Sequence, residues 1–215
     1  MRIEADLDRA VEQAHLLIVA VRPGSVRGLL EELGEMHPVL AVSLAAGIPL
    51  ANLRRWMGAP VRWARAMPSP VARSGRGLTA VTFDRNFPVA GRRELRDFFA
   101  RVGTVLEIPE RKFDAFTVTY SSSHGYHAQA ALAAAAEKLG LDRKTARIAA
   151  AHALADGIMA WRESEMPLDD LLREAATPGG TSAATLASMD RSGYHRIVQR
   201  GLRAGIRRAR RNGKG

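Results

Sequence analysis

The fold of this chain is decided by three short apolar runs, HLLIVAV (15–21), VLAVSLA (39–45) and VRWARAM (61–67). The segments between them contain SVRGLLEELGEM and PLANLRRWMG, each long enough for one helix. Apolar runs without polar alternation are typical of strands buried on both faces, and the order strand, helix, strand is typical of a parallel sheet. The runs therefore predict a parallel α/β sheet in the first half of the chain.

Two further strands are predicted after the third run, GLTAVTF (77–83) and TVLEI (104–108). The amphipathic segment RRELRDFFARVG lies between them, and we expect it to form a helix that ends at Gly103. A helix from Ala5 to Ala14 is expected ahead of the first strand. The first half would then hold five strands with helices between them.

The second half of the chain is rich in alanine, and its character changes after Pro109. AQAALAAAAEKLG (128–140) predicts a helix, and Asp142 is a suitable N-cap for the next one, DRKTARIAAAHALADGIMAW. A short helix from Pro167, the turn TPGGTS, and helices at 183–189 and 194–210 complete the chain. We therefore predict two domains, an α/β domain over 1–109 and an all-α domain over 110–215 whose small and apolar surface suits an oligomer interface.

The composition is that of a globular protein, with 215 residues of which 47% are hydrophobic and 25% charged. The sequence has no cysteine, which excludes disulfides, thiolate catalysis and metal sites built on cysteine. No apolar stretch approaches the ~18 residues of a membrane span, and the charged first residues do not have the pattern of a signal peptide. We expect a cytoplasmic protein with no membrane partner.

Much of the net charge of +10 lies at the end of the chain, in RIVQRGLRAGIRRARRNGKG (196–215), which contains no acidic residue. Such a segment could bind phosphate groups, but it lacks the aromatic residues on which single-stranded nucleic acid stacks. The other interpretation is the cationic last turns of a helix, where positive charge suits the helix dipole. We favour the second interpretation and do not expect nucleic acid as a partner.

The carboxyl ends of the three strands are the first candidates for a site, because ligands of open parallel sheets bind there. Those ends are Ala20-Val21-Arg22-Pro23, Ala45-Ala46-Gly47-Ile48 and Arg65-Ala66-Met67-Pro68. The dinucleotide motif Gly-x-Gly-x-x-Gly is absent from the sequence, and Gly75-Arg-Gly77 precedes a strand instead of following one. From the residues alone, the three ends are either ordinary strand-to-helix turns or the rim of a ligand site.

Two polar segments precede helices in the second half, DAFTVTYSSSHGY (114–126) and TPGGTS (177–182). Hydroxyl side chains and free backbone N–H groups at a helix start can hold an anion. The candidate residues are Ser121, Ser122, Ser123, Gly179, Gly180, Thr181 and Ser182. Either segment alone is explained equally well as an N-cap without a ligand.

Taken in order, the three strand ends and the two polar segments resemble the pyrroline-5-carboxylate reductase family. The family's pattern runs Ala-Val-Lys-Pro, Ser-Ile-Ala-Ala-Gly-Ile, Arg-x-Met-Pro-Asn-Thr-Pro, Asp-Ala-Val-Thr-Ala-Leu-Ser-Gly-Ser-Gly-Pro-Ala-Tyr and Ser-Pro-Gly-Gly-Thr-Thr. All five segments occur here in that order and spacing, from about Ala14 to the last helix. The Pro178-Gly-Gly-Thr181 segment is the most specific of them.

The resemblance implies an incomplete Rossmann-type parallel sheet followed by an α-helical dimerisation domain. It implies an oxidoreductase of proline biosynthesis that reduces pyrroline-5-carboxylate or a related cyclic imino-acid, with NADP or NAD as cofactor. It also implies a homodimer or higher homo-oligomer formed through the helical domain. The family's first strand and glycine-rich turn are missing from this sequence, which removes the pyrophosphate anchor and weighs against cofactor binding.

The resemblance also assigns roles to individual residues. The residues that would face the nicotinamide end of the cofactor are Ala20, Val21, Arg22, Pro23, Ala45, Ala46, Gly47, Met67 and Pro68. The residues that would hold the substrate carboxylate are Ser122, Thr181 and Ser182, with Ser121, Ser123, Gly179 and Gly180 beside them. His124 would protonate the imine nitrogen, because imidazole titrates near neutral pH. His124 and His127 lack a third ligand nearby in the sequence, so we expect no metal site.

The sequence departs from the family pattern in three places, and these departures leave alternatives open. Arg22 replaces a lysine, Ser69-Pro-Val71 replaces Asn-Thr-Pro, and Tyr120-Ser-Ser-Ser-His-Gly125 replaces Ser-Gly-Ser-Gly-Pro-Ala. One alternative is a dimeric scaffold or imine-binding protein that has lost cofactor binding. Another is a divergent imine-processing enzyme of a specialised pathway. The missing first unit would reflect either a late start codon or natural shortening.

Overall fold

The computed structural model describes residues 3–12 and 14–214. Their contacts divide the chain into two compact units. The sheet unit holds the chain up to Tyr120 and again from Leu202 onward, and the helical unit holds Ser121–Gly201. The predicted division into domains at residues 109 and 110 stays a prediction.

The described helices and strands follow one another in the order expected of an α/β chain that becomes all-helical. They are α1 (Leu7–Glu12), β1 (Leu16–Val19), α2 (Pro23–Leu33), β2 (Leu40–Ser43), α3 (Leu50–Met57), β3 (Arg62–Pro68), β4 (Gly77–Phe83), α4 (Val89–Ala100), β5 (Gly103–Glu107), α5 (Glu110–Thr119), α6 (Ser122–Lys138), α7 (Arg143–Glu163), α8 (Leu168–Ala175), α9 (Thr181–Arg191) and α10 (Tyr194–Asn212). A 3-10 turn, Pro70–Ser74, joins β3 to β4. The predicted elements are present, most of them with shifted ends, and α5 was not predicted. Residue 13 of the first predicted helix lies outside the described residues.

The five described strands form one sheet in the order β1-β2-β3-β4-β5. β1, β2 and β3 are parallel, and β5 is parallel to β4. β4 is antiparallel to β3, with Pro68 opposite Thr79, so the sheet is mostly parallel. The reason is the short link over 69–76, because a parallel crossover takes a dozen or more residues.

The sheet is covered on both faces, which explains why its strands are apolar without alternation. On one face α2 and α3 pack on the strands, with Leu30, Leu53 and Trp63 fully buried. On the other face α4 contributes Leu95 and Phe99 to a second buried cluster. The two clusters share the strands because successive strand residues point to opposite faces. The predicted α/β class of the first half is confirmed.

The sequence predicted that Gly103 ends the helix before it, and this prediction is wrong. The position after α4 is Arg101, with helical backbone angles, and Gly103 is the first residue of β5. A Cβ placed on Gly103 would lie 1.9 Å from the carbonyl oxygen of Gly77. Gly103 is thus needed where β4 and β5 first approach one another.

The helical unit has a very small core of its own. Its buried cluster consists of Ala133, Ala146 and Ala150, with Ala136 packed against it where α6 and α7 meet. Large apolar side chains on its helices are exposed instead, among them Ile148 and Met159 on α7. The small side chains let the two helices approach closely, but they bury little apolar surface. No described helix is long and apolar enough to cross a membrane.

Candidate functional site

The three predicted strand ends lie along one edge of the sheet. Val19 of β1 pairs with Ser43 of β2, and Ser43 pairs with Arg65 of β3. The turns after these residues therefore stand side by side at the carboxyl edge, where open parallel sheets bind ligands. The exposed part of this edge is the β1–α2 turn, with Ala20, Val21 and Arg22 open to solvent.

The same turn leads directly into a helix start. Pro23 is the first residue of α2, and the preceding Arg22 makes no side-chain cap. Proline suits this position because it lacks an N–H and its backbone angle is already helical. The remaining N–H groups of the first turn give this part of the edge a positive end of a helix dipole.

The next turn along the edge is covered by the chain itself. Ala45 and Gly47 are buried, and the backbone of Ala209, near the end of α10, lies against Gly47. The basic segment is therefore helical as far as Asn212, as its second interpretation predicted, and its part from Leu202 onward belongs to the sheet unit. The assignment of Ala45, Ala46 and Gly47 to the cofactor stays a prediction, and Gly47 has a packing role as well.

The third strand end is held by a local cap. Met67 and Pro68 are the last residues of β3 and are half-buried. Ser69, which stands where the family pattern has asparagine, accepts a hydrogen bond from the Val71 backbone N–H at 3.2 Å through its Oγ. Ser69 thus starts the 3-10 turn toward β4, and this structural role suits serine.

The first polar segment forms the start of α6. Ser121 is the N-cap and Ser122 the first helical residue, so the helix begins six residues before the alanine-rich run that predicted it. The Oγ atoms of Ser121 and Ser123 are 2.6 Å apart. The Ser121 side chain does not cap the helix, and the His124 N–H already donates to the Ser121 carbonyl oxygen. Backbone N–H groups at a helix start are the kind of donors that bind an anion.

The second polar segment forms a turn and the start of α9. Thr177 accepts a hydrogen bond from the Gly180 N–H at 2.9 Å, with Pro178 and Gly179 in the middle positions of the turn. Gly180 is the N-cap and makes no side-chain cap, and Thr181 is the first residue of α9. Thr181 and Ser182 are exposed at the helix start, as predicted.

The start of α7, in the same unit, shows how a carboxylate binds the backbone N–H groups of a helix start. Asp142 accepts hydrogen bonds from the backbone N–H groups of Lys144 at 3.0 Å and Thr145 at 3.1 Å. Hydrogen bonds from the side chain and backbone of Thr145, and from the backbone of Lys144, lower the pKa of the Asp142 carboxyl below 3.8. α6 and α9 begin without such a carboxylate of their own.

The structure places the predicted residues in two groups. Ser121, Ser122, Ser123 and His124 lie at the start of α6, and Thr181 and Ser182 at the start of α9, all in the helical unit. The strand-end residues lie in the sheet unit. His124 and His127 occupy the first turns of α6, and the described residues contain no group of three His, Asp or Glu side chains that could hold a metal ion.

Sequence reasoning missed a buried ionic network around Arg65. Arg65 is 2% exposed, and its guanidinium lies 3.0 Å from Asp114 Oδ1 and 3.5 Å from Glu110 Oε1. The guanidinium also stacks on Phe113 at 4.4 Å from the ring centroid. Glu110 accepts a further hydrogen bond of 2.6 Å from the Leu50 N–H at the start of α3. One signal was present, an arginine inside an apolar strand run.

In the sequence, Tyr120 is only a departure from the family pattern. In the structure, its side chain contacts strand β4. Its hydroxyl oxygen accepts a hydrogen bond of 2.9 Å from the Leu78 N–H of β4. Its ring packs on Phe116, one turn earlier, at 5.2 Å between centroids. The residue immediately before Ser121 is thereby fastened to the sheet.

The doubly covered sheet with a ligand edge at its parallel strand ends defines a Rossmann-type α/β protein, here followed by a helical unit. Residues 110–212 match the family model for pyrroline-5-carboxylate reductase dimerisation. The chain is also 31% identical over 206 residues to the pyrroline-5-carboxylate reductase of Pseudomonas aeruginosa, covering 93% of this chain and 75% of that one.

Solved structures agree with these sequence matches. The pyrroline-5-carboxylate reductase of Streptococcus pyogenes has a TM-score of 0.86 at 25% identity, over 96% of this chain and 80% of that one. The Plasmodium falciparum enzyme, solved with NADP bound, has a TM-score of 0.85 at 20% identity over the same shares, which bears on the fold. The chain belongs to the pyrroline-5-carboxylate reductase family. The predicted resemblance and the predicted oxidoreductase class are confirmed.

Proposed function

We propose that this chain catalyses the NAD(P)H-dependent reduction of pyrroline-5-carboxylate, a cyclic imino-acid, to proline. The observation that carries the proposal is the identity of 31% to a pyrroline-5-carboxylate reductase over 93% of the chain. The strand ends of the sheet unit and the starts of α6 and α9 in the helical unit each support it, because each falls at a segment that carries the resemblance.

The residues present fit one end of a nicotinamide cofactor. The exposed β1–α2 turn, Ala20–Pro23, and the end of β3 at Met67 stand at the carboxyl edge of the sheet, where such a ring would lie. The 215-residue sequence has no glycine-rich strand-to-helix turn to hold the pyrophosphate. A bound nicotinamide would supply the hydride. We propose NADP or NAD as the cofactor on this partial fit.

The substrate carboxylate is proposed to lie at the starts of α6 and α9. Ser122 and Thr181 are the first helical residues, so their hydroxyls and the neighbouring backbone N–H groups meet an anion at the positive end of each helix. Asp142 makes this arrangement within the chain at the start of α7. Ser121, Ser123, Ser182, Gly179 and Gly180 shape the two turns that present these donors.

His124 is proposed to supply the proton that the imine nitrogen takes up. It lies in the first turn of α6, two residues after Ser122, and its side chain is exposed. Imidazole is the side-chain acid that titrates closest to neutral pH, so it can donate a proton under the conditions in which the reaction runs.

We also propose that the chain forms a homodimer through its helical unit, and that it acts in the cytoplasm. The match of 110–212 to a dimerisation model supports the dimer. The small alanine core and the exposed apolar side chains of α6 to α10 support it independently, because such a surface is stabilised when a second copy covers it. The cytoplasmic location rests on the sequence prediction alone.

The test is a fluorescence titration of the chain with NADPH and NADH, followed by an assay with pyrroline-5-carboxylate. We expect saturable cofactor binding that tightens when proline or the imino-acid is present. Absence of binding up to millimolar cofactor would contradict the proposal and would favour a scaffold that has lost hydride transfer.

Two substitutions test the carboxylate site. Ser122→Ala and Thr181→Ala each remove one hydroxyl donor, so we expect KM for the imino-acid to rise about tenfold. The matched control is Ser188→Ala, which removes an exposed hydroxyl from the same α9 away from its start. Equal KM values for Ser188→Ala and Thr181→Ala would refute the role given to the α9 start.

A further inference from the structure

The end of α10 lies directly on the turn between β2 and α3, residues 45–49. A Cβ placed on Gly47 would lie 2.1 Å from the carbonyl oxygen of Ala209. A Cβ placed on Gly213 would lie 2.8 Å from the carbonyl oxygen of Gly47 and 2.9 Å from the Pro49 ring. Backbone is therefore packed on backbone at this contact, which leaves no room for side chains.

Gly47 is required at this contact for two separate reasons. Its φ is +79°, in the left-handed region that residues with a Cβ adopt at a cost. Its missing Cβ is also what allows the Ala209 carbonyl to approach. The glycine therefore serves the docking of α10 whatever else binds at this edge.

Two asparagine side chains stabilise the contact between the end of α10 and the β2–α3 turn, one from α10 and one from α3. Asn212 of α10 donates through Nδ2 to the Ala46 carbonyl oxygen at 3.1 Å. Asn52 of α3 donates through Nδ2 to the Gly213 carbonyl oxygen. We call this pair the asparagine clasp. Both side chains are half-buried, so each bond is shielded in part from water.

The basic segment has an apolar face of small and aliphatic residues as well as its arginine face. Leu202, Gly205, Ile206 and Ala209 recur at helical spacing, and all four are at least half-buried, with Gly205 close to Val118 of α5. The arginines of the last turns, Arg207, Arg208, Arg210 and Arg211, are exposed. The small-residue stripe docks on the sheet unit, and the arginines keep the rest of the helix in water.

We propose that the end of α10 is a positioning element for the candidate cofactor rim, with Asn52 and Asn212 as its positioning residues. The clasp holds Ala45, Ala46 and Gly47 in one conformation beside the exposed β1–α2 turn. These residues touch the rim and not the reacting atoms. The link to cofactor binding rests on the proposed function, whereas the fixing of the turn does not.

The first measurement is amide hydrogen exchange in the full chain carrying Asn52→Ala together with Asn212→Ala. We expect exchange in residues 44–50 to quicken about tenfold or more, with no change in β4 and β5. Asn86→Ala and Arg211→Ala are the controls, since both side chains are exposed and lie outside the clasp. Unchanged exchange in 44–50 would overturn the proposal.

The second measurement is the affinity of the same variants for NADPH, together with KM and kcat for the reduction. Weaker NADPH binding by about fivefold to tenfold in the double variant, with kcat little changed, is the expected result. Faster exchange with unaltered NADPH affinity would overturn the positioning role at the rim. If the unsubstituted chain bound no NADPH, the proposed function would fail, and hydrogen exchange alone would decide whether the clasp fixes the turn.

Discussion

Arg65 is the residue that ties the sheet to the start of the second half of the chain. Its guanidinium is buried in β3 and shared between Asp114 and Glu110 of α5. The two acids compensate its buried positive charge. Its Nε is buried without a hydrogen-bond partner among the described atoms. A buried charge that loses its partners is far more costly than a buried apolar side chain.

This network predicts an order of stabilities. Glu110→Gln combined with Asp114→Asn leaves the Arg65 charge uncompensated, and we expect the free energy of unfolding to fall by about 3–5 kcal/mol. Arg65→Met removes the charge and keeps most of the volume, so its loss should be smaller. Urea unfolding of the three proteins measures the order. A larger loss for Arg65→Met than for the double variant would contradict it.

At the residue scale, the sequence predicted which residues lie at helix starts and strand ends, but not which distant residues they contact. Ser122, Thr181 and the strand-end turns could be found because helix starts and strand ends are encoded locally, by N-cap residues and by apolar runs. The partners of Arg65 and Tyr120 could not be found, since those contacts join residues 49 and 42 positions apart. The role of Gly47 depends likewise on Ala209, far along the chain.

At the scale of elements, α7 shows a helix start satisfied by its own carboxylate. The hydrogen bonds from Thr145 and Lys144 lower the pKa of Asp142, so the charged form is favoured in the folded state. The stabilisation is therefore present above the pKa of the unfolded chain and is lost as the pH falls through the lower folded value.

Asp142→Ala tests this cap. We expect Tm to fall by about 2–4 °C at neutral pH, and the difference from the unsubstituted chain to shrink in acid as the pH falls through the lowered pKa of the Asp142 carboxyl. Asp142→Asn is the matched control, because an amide oxygen still caps the helix but does not titrate. Thermal unfolding followed by circular dichroism between pH 2 and 8, a range from about two units below to about four units above a typical carboxyl pKa, gives both curves. A difference as large at the acid end as at neutral pH would contradict the assignment.

The sequence predicted the elements well where periodicity is strong and poorly where one connection decides the pairing. All five strands were predicted from their apolar runs, and β4 has the predicted ends, Gly77 and Phe83. The apolar runs did not predict the direction of β4, which is antiparallel to β3 because the two strands are joined by a 3-10 turn started by Ser69 and not by a helix. An apolar run carries no information about which way its neighbour runs.

At the scale of the whole molecule, the helical unit exposes large apolar side chains that a second copy of the chain would cover. Ile148 and Met159 lie eleven positions apart on one face of α7 and are 52% and 57% exposed. The buried cluster of this unit consists of alanines, so most of its apolar side chains contribute nothing to a core of their own. A second copy of the chain would bury them.

The predicted homodimer can be measured by light scattering during size-exclusion chromatography. We expect a mass of twice 23.3 kDa for the unsubstituted chain. Ile148→Glu with Met159→Glu should weaken self-association about tenfold or more, because two charges would be buried in the contact. Arg143→Glu, at the exposed start of α7, is the control for added acid. A double variant that stayed dimeric at the lowest concentration measured would exclude this face.

The docking of α10 on the sheet unit has a consequence for the order in which the molecule is made. Ala46 and Asn212 are 166 positions apart, and the whole helical unit lies between them in the sequence. The contact between the β2–α3 turn and the last turn of α10 can therefore form only after the ribosome has added those residues. Non-local contacts of this kind slow folding, so the turn stays without this contact while the helical unit is being made.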